Sequence, residues 1–365
     1  MNYYEAELRA LKKSNRFRKR VLVDYSVRDF ASNDYLGLSK NKEMHAFTCK
    51  QLASSPLHSP TSSMLINGYH QIHKDFEKLL CKLNRFEDAI VMGSGFVANI
   101  ALIESLVRKN DTLFIDEKFH ASGMLIARLE YLHVKVFHHN DADELNRLLC
   151  ASKAKRNIVA VEGVYSMEGD LLNKEIFNIC DDHDAILIVD EAHSSGVVGE
   201  NLLGVFELFD IHVKPNYIKM GTLGKAYGSF GAYILSSSHI IEYLINRAKP
   251  IIYATALSLY DTLLAHNNLE YIIKNKQSIT KELNIRRKMA KELLGIESKS
   301  MIICISVGNN QQVMQIQSQL RGMGFAIGAI RQPTVSKAIL RIIPNLSQSA
   351  DDFLELCRCI STQNG

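Results

Sequence analysis

Three short stretches of this chain set reactive side chains directly behind apolar runs. "AILIVDEAHSSG" (185–196) carries five apolar residues into Asp190, Glu191, Ala192 and His193. "YIKMGTLGKAYG" (217–228) leads to Thr222 and Lys225, and "DAIVMGSGFVAN" (88–99) to Gly93, Ser94 and Gly95. A carboxylate, an imidazole and an amine can move protons or attack a carbonyl, and a glycine-bounded turn before a helix can hold an anion. The letters Asp-Glu-Ala-His also mark one class of nucleic-acid helicases, which need a G-x-x-x-x-G-K-[ST] loop for the nucleotide phosphates. That loop is missing: Lys225 is followed by Ala226, and Lys219 stands five positions before Gly224, where the loop needs a glycine. A nicotinamide-binding G-x-G-x-x-G turn is missing as well, since Ala98 and Asn99 stand where its third glycine would be sought.

Composition narrows the classes further. The 365 residues carry 43 Lys plus Arg against 39 Asp plus Glu, and a net charge of +4 is too small for a nucleic-acid track over this length. At 47% hydrophobic and 22% charged, the chain reads as an ordinary globular protein with a large core. The cysteines at 49, 81, 150, 180, 304, 357 and 359 form no C-x-x-C pair, so neither a zinc site nor a disulfide framework is expected, and a reducing cytoplasm is the simplest location. The N-terminal "MNYYEAELRALKKSNRFRKR" is basic and roughly amphipathic, the pattern of a solvated first helix without a signal peptide's apolar core. No stretch approaches the ~20 apolar residues of a membrane span.

The elements that must position the reactive residues follow from periodicity. Short apolar runs alternate with amphipathic segments from about 88 to 245. "DAIVMGSG", "DTLFIDE", "KVFHHND", "NIVAVEG", "AILIVDEAH", "YIKMGTL" and "GAYILSS" read as strands, with helices such as "FVANIALIESLVRK" and "HASGMLIARLEYL" between them. The expected fold is α/β, a mostly parallel sheet with helices on both faces. Such sheets hold ligands beyond the carboxyl ends of their strands. There the sequence collects Gly93, Ser94, Gly95, Glu162, Ser166, Asp190, His193, Thr222 and Lys225. From about 271, "KNKQSITKELNIRRKMAKELLG" leads into shorter elements. The expected organisation is an N-terminal segment (1–39), a large domain (40–270) and a smaller α+β C-terminal domain (271–365).

Eight motifs in order carry a family resemblance: "ASNDYLGLS" (31–39), "NGYHQIHKDFEKLL" (67–80), "GSGFVAN" (93–99), "HASG" (120–123), "HND" (139–141), "EGVYSMEGD" (162–170), "VDEAHSSGVVG" (189–199) and "GTLGKAYGSFGAY" (221–233). Their order and spacing resemble the α-oxoamine synthases, pyridoxal 5'-phosphate enzymes of the aspartate-aminotransferase fold type (fold type I). The resemblance covers nearly the whole chain. It implies decarboxylative condensation of an amino acid with an acyl thioester. The compact length resembles the branch that joins L-alanine to pimeloyl-CoA or a pimeloyl acyl carrier protein, with sister synthases using glycine or serine as the alternative. A catalytically silent subunit is the other alternative, and the joint presence of Lys225, Asp190 and His193 argues against it.

The resemblance also implies roles. Lys225 would form the imine with the cofactor and then serve as a base; its tight small-residue turn sets it apart from the chain's solvated lysines. Asp190 would face the pyridine nitrogen, His193 the phenolic oxygen, and His120 the open ring face and the substrate carboxylate. The amides of Gly95 and Phe96, at a helix start, and the Thr222 hydroxyl would hold the phosphate. Ser166 would lie beside the phenolic oxygen, with Glu168 where an aspartate is commoner. Asn33 and Thr255 resemble residues donated across the interface of a homodimer with shared sites, although the proline usual after Thr255 is missing. Arg341 in "RQPTVSKAILRIIPN" would grip the amino-acid carboxylate, with Arg331 as a rival. An early arginine for the acyl donor has three competitors, Arg16, Arg18 and Arg20. No metal, nucleic acid or membrane is implied.

Overall fold

The computed structural model describes residues 3–361. Eleven strands are formed along them: β1 (Arg28–Phe30), β2 (Asp88–Met92), β3 (Thr112–Asp116), β4 (His133–Phe137), β5 (Asn157–Glu162), β6 (Ile186–Asp190), β7 (Tyr217–Thr222), β8 (Ala232–Ser236), β9 (Ile303–Gly308), β10 (Phe325–Ile330) and β11 (Ala338–Ile342). By contacts the chain divides into two compact units. One comprises Asp34–Ser166 and Asp170–Lys281; the other comprises the described residues up to Asn33, Met167–Gly169 and those from Glu282 onward.

The larger unit holds a seven-stranded sheet in the order β2-β8-β7-β6-β5-β3-β4, made of the seven runs read as strands. The β4/β3, β3/β5, β5/β6 and β6/β7 pairs are parallel, while β8 runs antiparallel to both β7 and β2. Central strands such as Asn157–Glu162 and Ile186–Asp190 are buried almost throughout, which explains their continuous rather than alternating apolar pattern. Ile90, Ile115, Ile158, Ile188, Ile218 and Ile234 each come from a different strand and share one core with Leu102 and Ile103 of the helix Gly95–Leu106. The helix expected over "HASGMLIARLEYL" is shorter than its apolar pattern: it runs Ala121–Ile126, and turn hydrogen bonds from Leu129 to Ile126 and from Leu132 to Leu129 carry the chain into β4.

The smaller unit holds a four-stranded sheet in the order β1-β10-β11-β9. β1 joins β10 in parallel, and this pairing ties the segment before Asn33 to the C-terminal elements. Phe30, Phe325 and Phe353 meet at its centre, with centroids 6.1 and 5.9 Å from Phe30. The basic N-terminal segment forms a helix, Glu5–Lys13, with no buried residue. No helix among the described residues is long and apolar enough to cross a membrane.

Candidate active site

In the larger unit, the carboxyl ends of adjacent strands open onto a cavity of about 210 Å³ lined by Gly95, Phe96, Asn99, His120, Glu162, Asp190, His193, Thr222 and Lys225, among others. Lys225 follows β7 in a compact turn. The Thr222 hydroxyl donates to the Gly231 carbonyl at 3.0 Å and accepts from the Gly224 amide at 3.3 Å, and the Gly228 amide closes onto the Lys225 carbonyl at 3.0 Å. Gly228 has φ +57°, and a Cβ built there would lie 2.7 Å from the Ser39 amide nitrogen. Only glycine allows both that conformation and that approach.

Lys225 Nζ lies 2.8 Å from His193 Nε2, and His193 Nδ1 lies 2.5 Å from the Tyr35 hydroxyl. Asp190, the last residue of β6, is buried. Its Oδ1 accepts from the Ala192 amide at 2.9 Å and its Oδ2 from Asn99 Nδ2 at 2.8 Å. Asn99 Nδ2 also donates to Ser122 Oγ at 2.9 Å, and that hydroxyl lies 2.7 Å from His120 Nδ1. His120 caps the helix Ala121–Ile126, and Phe96 meets its ring edge-on at 6.2 Å. Burial lowers the His120 pKa, against an upward pull from Asp190 and with a further downward push from Lys225.

The helix Gly95–Leu106 begins at the same cavity, and its first amide groups lack intrahelical partners. A Cβ built on Gly95 would sit 3.6 Å from Thr222 Cβ, so the helix start and the Thr222 side chain are neighbours. A helix start with unpartnered amides is a position where negative charge is favoured.

Of the residues singled out in the sequence, Gly95, Phe96, His120, Asp190, His193, Thr222 and Lys225 come together around this cavity. Ser166 is buried behind the lining, its amide donating to Glu162 Oε2 at 3.0 Å. Thr255 lies apart from the cavity lining, exposed and bridged to Ser63. In the smaller unit, Arg341 Nη1 donates to Asn33 Oδ1 at 2.9 Å, joining the two residues expected to meet substrate, and Arg341 is only 6% exposed. Arg331 instead donates to the Asn15 carbonyl at 2.8 Å. Tyr35, Asn99 and Ser122 were not anticipated as site residues. The available signals were the place of Asn99 one helical turn after Gly95 and the occurrence of Tyr35 and Ser122 inside the quoted motifs.

The arrangement brings an amine beside an imidazole, an enclosed carboxylate and a helix start into one cavity. Residues 26–358 match the aminotransferase class I and II family. The chain is 43% identical over 359 residues to the 8-amino-7-oxononanoate synthase of Helicobacter pylori, covering 98% of this chain and 96% of that protein. Among solved structures, 8-amino-7-oxononanoate synthase from Francisella tularensis superposes with a TM-score of 0.76 at 26% identity, covering 93% of this chain and 98% of that one. Serine palmitoyltransferase from S. paucimobilis, solved with a bound PLP–myriocin aldimine, gives a TM-score of 0.88 at 21% identity, covering 99% and 97%, a likeness of fold. With its motifs in family order and this match along nearly its whole length, the chain belongs to the aminotransferase class I and II family, in its α-oxoamine synthase branch.

Proposed function

We propose that the chain catalyses the pyridoxal-phosphate-dependent condensation of L-alanine with a pimeloyl thioester, giving 8-amino-7-oxononanoate, carbon dioxide and the free thiol in biotin biosynthesis. The observation that carries this reading is the 2.8 Å approach of Lys225 Nζ to His193 Nε2 in the cavity that also holds Asp190 and a helix start. The full-length identity to the Helicobacter pylori enzyme supports the substrates.

The residues present fit the cofactor. The Gly95 and Phe96 amides and the Thr222 hydroxyl would hold its phosphate. Asp190, whose hydrogen-bond partners here are a neutral side-chain amide and a backbone amide, would face the ring nitrogen. His193 would face the phenolic oxygen with Ser166 nearby, and His120 the open ring face. Pyridoxal phosphate, when bound, supplies an aldehyde for the amine and a ring that accepts the electron pair left at Cα.

Lys225 is the base that takes the alanine Cα proton, and after the new carbon–carbon bond has formed and the carboxylate has left, it returns a proton to that carbon. Its neighbour His193 keeps the amine oriented. Arg341, held by Asn33, is the group to receive the alanine carboxylate. The active unit is a homodimer in which Thr255 serves the partner's site; Thr255 is exposed, as are Tyr253 two positions before it and Ile66 three positions after its bridge partner Ser63. CoA and an acyl carrier protein both remain as thioester carriers.

The test is mass spectrometry of reactions pairing alanine, glycine and serine with pimeloyl, acetyl, succinyl and palmitoyl thioesters, together with borohydride trapping. The expected product is 8-amino-7-oxononanoate, with the reduced cofactor attached at Lys225. A preference for glycine with acetyl or succinyl donors, or for serine with palmitoyl, overturns the substrate assignment. A cofactor still trapped in Lys225→Ala overturns the site.

A further inference from the structure

The Tyr35 side chain is fully enclosed, yet its hydroxyl ends 2.5 Å from His193 Nδ1, while the opposite ring nitrogen, Nε2, lies 2.8 Å from Lys225 Nζ. The imidazole therefore joins a phenol to an amine through its two nitrogens. Its position is fixed from both sides. The Asp34 carboxylate accepts from the Ser39 hydroxyl at 2.6 Å and from the Ser39 amide at 3.3 Å, closing the turn that carries Tyr35. The Tyr35 and His193 rings meet at 69° with centroids 6.1 Å apart.

A neutral imidazole has one N–H and one lone pair, so its tautomer decides which neighbour is offered a proton and which must supply one. A phenol oxygen shares its lone pairs with its ring and is a stronger donor than acceptor. The arrangement that suits Tyr35 makes Nδ1 the lone-pair side. We infer that Tyr35 is a positioning residue that fixes His193 as the Nε2–H tautomer, and so presents Lys225 with a hydrogen-bond donor.

The consequence falls on the lysine. An N–H aimed at Nζ is satisfied by the amine's lone pair, whereas an ammonium in the same place would set two donors against each other. The tautomer thus favours Lys225 as the free amine, the form that attacks a carbonyl and takes up a proton. A family motif that spells Asp34-Tyr35-Leu36-Gly37 therefore acts on the reactive lysine through one intervening ring.

The experiment is ring-nitrogen NMR of histidine-labelled full-length protein with pyridoxal phosphate bound, repeated without it, with the His193 signals identified by their loss in His193→Asn. The wild-type protein should show a protonated Nε2 and an unprotonated Nδ1, and Tyr35→Phe should shift His193 toward a mixture of tautomers. In steady-state assays Tyr35→Phe should lower kcat roughly ten- to a hundredfold and leave the alanine KM within about twofold, with the cofactor still trapped at Lys225. A protonated Nδ1 in the wild type overturns the assignment, and so does an unchanged tautomer in Tyr35→Phe. Where the phenylalanine variant does not fold, a protonated Nδ1 in the wild-type spectrum still overturns the assignment, and Tyr35→Trp or Tyr35→His supplies the second comparison. The kinetic consequence rests on Lys225 as the imine-forming residue; failure of that role appears in borohydride trapping, whereas failure of the tautomer assignment appears in the nitrogen spectrum.

Discussion

Asp116 and Asp190 close two strands of the same sheet, with only β5 between them, and both are buried, yet their surroundings divide them. Asp116 Oδ1 lies 3.2 Å from His139 Nδ1, and its Oδ2 accepts from the Tyr165 hydroxyl and the Asn140 amide, each at 2.8 Å. His139 also reaches Asp170 at 2.9 Å. Burial opposes its protonation, but the two carboxylates raise its pKa to about 10, so it is a cation at neutral pH. Burial likewise pushes the Asp116 pKa up, and His139 with the surrounding donors outweighs it, leaving a net lowering. Asp190 accepts its hydrogen bonds from the Asn99 and Ala192 amides instead, and it faces a cavity. One carboxylate is thus paired with a cation inside the protein, and the other is held by neutral amides at the edge of a cavity.

Asp190→Asn is the sharpest way to break this contrast. It should slow alanine Cα deuterium exchange by roughly two or more orders of magnitude while cofactor still binds, because only the charge that stabilises a protonated ring is lost. Unaltered exchange would place Asp190 with Asp116 as a structural group.

Arg341 and Arg331 extend the comparison to cations. Arg341→Ala should lower kcat/KM for alanine by roughly 2–5 kcal/mol, the scale for breaking a buried charge pair, and Arg331→Ala by less. Equal losses, read from alanine saturation curves, would erase the distinction between the buried arginine beside Asn33 and the one bonded to the backbone.

Asp116→Asn should do the reverse of Asp190→Asn. It should lower unfolding stability by about 1–3 kcal/mol while activity per folded molecule is retained, which denaturant titration alongside active-site counting will separate.

The smallest effect concerns pH. The folded His139 pKa is raised to about 10, against an unfolded value of about 6.5. Its stabilisation is fully present below about pH 6.5 and is lost as pH rises toward its folded value. The difference in Tm between the wild type and His139→Gln should therefore shrink over that interval. A difference that grows with pH would contradict the pairing.

The features legible in the sequence were those set by local pattern. Seven apolar runs became the seven strands of the large sheet, and most of the residues collected just beyond them line the cavity, Gly93 and Ser166 excepted. What pattern does not carry is the partner of each polar group. Asn99 registered in the sequence only as the absence of a glycine, whereas in the fold it bridges Asp190 and Ser122. Tyr35 stands between Asp34 and Leu36 with nothing local to name its partner; its meeting with His193 spans 158 positions and depends on the Asp34–Ser39 turn. The pairing of β1 with β10 is equally non-local, since three residues at 28–30 hold no information about a partner near 325.

Gly228 bears on how freely this active site can vary. Its left-handed backbone and its near-contact with Leu38 and Ser39 leave no room for any side chain. The loop bearing the lysine and the turn bearing the tyrosine are thereby pressed together main chain to main chain. In a library saturating every position, 228 should tolerate glycine alone. Exchanging either loop for a foreign one should succeed only when both are replaced together, so that for protein engineering the two form a single cassette.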